Sequence, residues 1–163
     1  MNTPRPFLRY GAAVVFLLVL IVPAHSQPIK KKNVPRAVLA ACWADYPGAT
    51  VRSYEGVTVD KNRCYKITCT WQTERTVIYD SKGRIVRSSE EINTRTLPYT
   101  VRHEIHSSYP HARLVTAHKI KAAEAVRYSA TIRQKDSTTE LLFDHNGARI
   151  GRERMTSEDL AAR

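Results

Sequence analysis

Between residues 34 and 155 the spacing of apolar positions switches repeatedly between four and two. In Val34–Tyr46 it is four, with Val34, Val38, Cys42 and Tyr46 in one stripe and Ala41 beside it. That spacing predicts an amphipathic helix with one face in a core. Pro35 sits in its first turn, where a missing N–H costs nothing, and Pro47-Gly48 breaks it. The period then falls to two. Thr50–Val57 predicts a first strand and Thr58–Arg63 a polar turn. Cys64–Gln72 is the clearest strand: Tyr65, Ile67, Cys69 and Trp71 point one way, and Cys64, Lys66, Thr68 and Thr70 the other. Arg75–Asp80 predicts a third strand, with Val77 and Tyr79 on its apolar side. Ser81-Lys82-Gly83 predicts a tight turn, and Arg84–Ile92 a fourth strand.

The pattern then recurs. Leu97–Ala112 copies Val34–Ala49 at an offset of 63, with Pro near its start and Tyr-Pro near its end. Val77–Gly83 aligns with Leu141–Gly147 at an offset of 64, so one residue has been inserted between. The second helix carries the stripe Val101, Ile105 and Tyr109. Its strands are expected at Arg113–Ile120, Glu124–Lys135, Thr139–Asp144 and Ala148–Met155, with His145-Asn146-Gly147 as the last hairpin turn. The expected fold class is therefore α+β: tandem αβ4 repeats forming one eight-stranded antiparallel sheet with two helices packed on one face. A unit of about 60 residues is marginal alone, so the two should share the sheet. The other face is left without a helix, which an antiparallel sheet tolerates when that face is polar.

Composition adds a location. The chain has 163 residues, 42% hydrophobic and 25% charged, which suits a globular domain. Arg5 and Arg9, the apolar run Gly11–Val22 and the small-x-small site Ala24-His25-Ser26 follow one another as in an export signal. The apolar run is shorter than the roughly 20 residues of a spanning helix; an uncleaved anchor is the alternative. The expected organisation is a signal peptide at 1–26, a basic mobile lead-in at 27–33, repeats at 34–96 and 97–155, and a tail at 156–163. Cleavage near Ser26 would leave the protein periplasmic or secreted, with 24 basic and 15 acidic residues. Those charges are spread evenly, with Lys30-Lys31-Lys32 the densest group. Even spreading argues against a nucleic-acid groove and suits an acidic partner or an anionic membrane surface.

Candidate chemistry is sparse. His103 and His106 stand three apart on the second helix, but no Cys or carboxylate lies nearby at ligand spacing, so they are expected in solvent and no metal is assigned. No Gly-x-Ser-x-Gly or Gly-rich phosphate loop occurs, so no catalytic residue and no cofactor is expected. Cys42 and Cys69 both point into the first helix–sheet interface, which allows a disulfide between them in an oxidising compartment. Two buried thiols packed as small apolar groups are the alternative. Cys64 faces the other way.

The helix ends Tyr46-Pro47-Gly48-Ala49 and Tyr109-Pro110-His111-Ala112, the Tyr-led central strands and the aromatic-Asp-x-x-Gly hairpins Tyr79–Gly83 and Phe143–Gly147 occur in the same order twice. In this the chain resembles the PepSY-like periplasmic domains related in fold to beta-lactamase inhibitor protein. The resemblance implies a tandem αβ4 fold, export and a non-enzymatic binding or inhibitory role.

The residues on the expected helix-free face then become the candidate binding surface: Arg52, Tyr54, Lys66, Thr68, Arg127, Thr131 and Arg133, with Thr70 and Ser129 between them and Ile78 and Leu142 as apolar points. Tyr and Arg commonly anchor interfaces, and the basic groups favour an acidic partner. The expected partner is another envelope or exported protein. The alternative is a polyanion binder for lipid headgroups or glycans.

Overall fold

The computed structural model describes residues 26–135 and 137–155. The signal-peptide expectation up to residue 25 and the tail from residue 156 lie outside the described residues. The helix α1 spans Arg36–Asp45, with Pro35 at its N-cap. It ends where the Tyr46 N–H donates to the Cys42 carbonyl, and Gly48 follows at φ +79°. The strands β2 (Thr50–Val59), β3 (Asn62–Trp71), β4 (Thr73–Asp80) and β5 (Ile85–Ile92) come next. A short helical turn at Thr94–Thr96 leads into α2 (Tyr99–Ser108). After it come β6 (Arg113–Ala122), β7 (Ala125–Gln134), β8 (Ser137–Asp144) and β9 (Arg149–Met155). Ten-residue helices are marginal in water, so packing on the sheet is what holds α1 and α2.

The turns are tighter than the sequence suggested. The expected polar turn Thr58–Arg63 reduces to Asp60 and Lys61, both at positive φ. Asp80 explains the aromatic-Asp-x-x-Gly pattern: its carboxylate accepts from the backbone N–H groups of Lys82 and Arg84, both at 2.9 Å. Asp144 does the same for Asn146 and Ala148, at 2.9 and 2.8 Å.

Among the described residues all strands join one antiparallel sheet of nine, in sequence order. The count corrects the expected eight. Gln27–Pro28, read as part of a mobile lead-in, forms the edge strand β1 against Gly56 and Glu55 of β2, and Lys31–Asn33 forms a helical turn. The Ile29 N–H extends the pairing by donating to the Tyr54 carbonyl at 2.9 Å.

Both helices lie on one face but bury separate cores. Val34, Val38, Cys42 and Tyr46 meet Tyr65, Ile67, Cys69, Val77 and Tyr79. Leu97, Val101 and Ile105 meet Ala117, Ala130, Ile132, Leu141 and Phe143. On the same face the register places Ser88 and Glu90 of β5 opposite Lys121 and Lys119 of β6, a polar strip between the cores. The buried Tyr79 hydroxyl is satisfied by donating to the Asp45 carboxylate at 3.1 Å.

The expected Cys42–Cys69 disulfide is not formed: all three cysteines are free and buried. Cys42 and Cys69 instead fill the first core as small apolar groups. Burial pushes the Cys42 thiol up to about 11, and Cys69 adds to that. Burial likewise raises Cys64 and Cys69. Native protein at pH 8 should therefore resist a thiol reagent, and denatured, non-reduced protein should titrate three thiols. A single thiol would show a bridged pair.

Candidate binding face

The helix-free face consists of alternate residues of β2 to β8, and the register sets its rows. One row runs Ser53, Thr68, Thr76, Ser89, Ile120, Arg127 and Asp144. Beside it lie Glu55, Lys66, Ile78 and Arg87. Toward the other side lie Glu91, His118, Ser129 and Leu142, then Thr116, Thr131 and Glu140. The centre is thus made of short hydroxyl side chains dotted with Ile78, Ile120 and Leu142. Ser129 is only 3% exposed although no helix covers it. Side chains of the adjoining strands must stand over it, so the surface is recessed there.

Most of the expected residues meet on this face. Lys66, Thr68, Thr131, Arg127 and Arg133 belong to it, the two arginines exposed. Arg52 sits in a β-bulge between Val51 and Ser53. Its Nε donates to Thr70 Oγ1 at 3.1 Å, and its Nη1 lies 3.5 Å from Glu74. Tyr54 does not belong. The same bulge changes the phase of β2, so Tyr54 pairs with Ile67 and packs against the first core on the helix side. A strict two-residue alternation from Arg52 could not place it.

The face is also less basic than expected. Lys66 Nζ lies 3.1 Å from Glu55, whose carboxylate also accepts from Ser26 and from Ser53 at 3.2 Å. Burial would raise the Glu55 carboxyl, but Ser26, Lys66 and Ser53 together hold it below its usual value. With Glu74, Glu91 and Glu140 on the same side, the charges alternate in sign. Reasoning from the sequence missed Ser89, His118 and Ile120. Residues Ile85–Ile92 carry no alternating apolar side in their middle, so nothing in their pattern fixes which way each points.

Several solved structures share this architecture. A BLIP-like protein of Bacteroides fragilis is 21% identical, covering 76% of this chain and 88% of its own, at a TM-score of 0.57. A DUF2874 family protein of Bacteroides uniformis is 16% identical over 74% of this chain and 88% of its own, with a TM-score of 0.61. A provisionally periplasmic protein of Bacteroides eggerthii is 15% identical over 76% of this chain and 90% of its own, at 0.63. The fold is BLIP-like. At these identities the fold is what is shared. No family model matches the sequence, and no curated protein is similar to it.

The helix-free face carries no reactive arrangement among the described residues. Its buried thiol, Cys64, is raised by burial and by the nearby Asp80, the reverse of what activates a nucleophile. His103 and His106 are exposed on α2, with His103 stacked on Tyr99 at 5.7 Å between rings. No group of three His, Cys, Asp or Glu side chains able to hold a metal occurs among the described residues. What the face offers is area, hydroxyl groups and alternating charge, which suits recognition of another macromolecule.

Proposed function

We propose that this protein is an exported, non-enzymatic binding module that takes an envelope or exported protein on the helix-free face of its sheet. The observation that carries this is the central row from Ser53 to Arg127, which crosses six strands with no covering segment among the described residues, with Ile120 in the row and Ile78 and Leu142 in the rows beside it. Ile78, Ile120 and Leu142 stand half-buried among these hydroxyls, the kind of apolar points that an interface core draws on. Export rests on the order of features in residues 1–26 and on the periplasmic description of one structural neighbour. The αβ4 unit is read as duplicated. In support, the order of one helix and four strands occurs twice, bulges follow Val51 and Leu114, and Gly83 and Gly147 both hold positive φ.

A polyanion binder fits less well. Arg52 and Lys66, two of its cations, are already paired with Glu74 and Glu55. The structure also changes the choice of test. Lys66→Glu would set two carboxylates together beside β2, so the variants should instead be Ser89→Arg in the central row and Arg127→Glu at its end. Tagged mature protein is used to capture partners from its own cell envelope, with Arg102→Glu on the exposed side of α2 as the control. The captured protein should be lost from the double variant and kept by Arg102→Glu, both folded by circular dichroism. Undiminished capture by the double variant would remove the sheet face as the site. Binding that disappears with modest added salt for wild type would favour the polyanion reading.

A further inference from the structure

The opposite face holds a second feature. Between the two cores, where neither helix covers the sheet, a half-open cleft of about 360 Å³ is lined by Tyr46, Arg75, Ser88, Glu90, Lys119 and Lys121. Ile85, Val86 and Ala123 complete its apolar wall. Arg75, Glu90 and Lys119 stand in one cross-strand row over β4, β5 and β6. Arg75 is the anchor. Its side chain is 13% exposed, its guanidinium lies 5.1 Å from the Tyr46 ring centre and 5.4 Å from that of Trp71, and its Nη1 is 3.1 Å from Glu90. Its Nε is buried with no hydrogen-bond partner among the described residues.

Lys119 and Lys121 have no acidic partner within ion-pair distance among the described residues, because Glu90, the one carboxylate lining the cleft, is engaged by Arg75. Three cations thus face one anion in a recess with an aromatic and aliphatic wall. Lys119, half-buried, and Lys121, exposed at the rim, stand two apart on the same face of β6 with no acidic partner among the described residues, and together with Arg75 they raise the local potential for an anion. A buried guanidinium already fixed by two rings loses little freedom in joining them.

We propose that this cleft is a binding site for a small amphipathic anion, a phosphate or carboxylate head on an apolar body. The head would lie between Lys119 and Lys121, against Arg75, and the body along Ile85, Val86 and Tyr46. This site is separate from the helix-free face, so either can fail without the other.

Trp43→Phe leaves Trp71 as the single tryptophan, a reporter packed on Arg75. Phenyl phosphate is titrated into this folded full-length mature protein and followed by Trp71 emission and by amide chemical shifts. Inorganic phosphate serves as the head alone and phenol as the body alone. Saturable binding of phenyl phosphate is expected, at least tenfold tighter than either fragment, weakened by salt, and with shifts centred on Ser88, Glu90, Lys119 and Lys121. In Lys119→Ala/Lys121→Ala the affinity should fall at least tenfold with the melting temperature unchanged. No saturable change by either readout would overturn the site. So would shifts centred elsewhere, equal affinity for inorganic phosphate, or an unchanged affinity in the double variant. An acyl carboxylate such as hexanoate, run in parallel, distinguishes the two head groups.

Discussion

Phe143→Ala should remove a large part of the stability of this protein. Phe143 is fully buried, opposite Tyr128 of β7, at the centre of the core beneath α2. Truncating a buried Phe to Ala costs about 3–5 kcal/mol, from lost transfer energy and the cavity left behind. A domain of this kind holds about 5–15 kcal/mol in total. The melting temperature should fall by about 10 °C or more. Two cores on one sheet add a sharper expectation. Trp71 packs on the first core, away from the cavity, while β5 and β6 are zipped together from Arg87–Ala122 to Ile92–Ala117. If that ladder couples the two halves, Trp71 fluorescence, read in a Trp43→Phe background, and far-ultraviolet circular dichroism will report the same lowered midpoint. A Trp71 transition left at the wild-type temperature would mean that the halves unfold independently.

Gly83→Ala is expected to cost nearly as much, for a different reason. Gly83 is at φ +83°, and a methyl group there would meet the Ala37 carbonyl oxygen at 2.7 Å and Ala41 Cβ at 3.1 Å. The tip of the β4–β5 hairpin therefore lies against α1 with no room for a side chain. The left-handed backbone alone costs an alanine about 1–2 kcal/mol, and displacing a helix backbone adds about 1–3 kcal/mol. Gly48→Ala is the internal comparison. Gly48 has φ +79°, but nothing lies within 4 Å of a Cβ there. It should show only the backbone part. Chemical denaturation of the two variants measures the difference, and equal losses would mean that the hairpin–helix contact contributes nothing.

The order of elements and much of the core were legible in the chain itself. The four-residue stripe Val34, Val38, Cys42 and Tyr46 is buried, and so are Tyr65, Ile67 and Cys69 on the side that alternation assigned to the core. These are local properties: a helix or strand that must bury one face shows it in its own spacing. The tight turns were legible for the same reason, because Asp80 and Gly83 act within a few residues of one another.

What depended on partners distant in sequence was not. The bulge after Val51 sends Tyr54 to the helix side, and a bulge is an agreement between two strands. Gln27–Pro28 looked like a free arm because its alternation is too short to read. It becomes a strand only because the β2 edge beside it would otherwise leave backbone groups unpaired. Lys66 looked like an open cation, since Glu55 is eleven residues away and meets it only across the β2–β3 ladder. The cleft between the cores is the largest such case. Arg75, Glu90 and Lys119 are ordinary surface residues when read in line. They become a row of charges only through two cross-strand registers, and spacing along one strand carries no information about its neighbour's register.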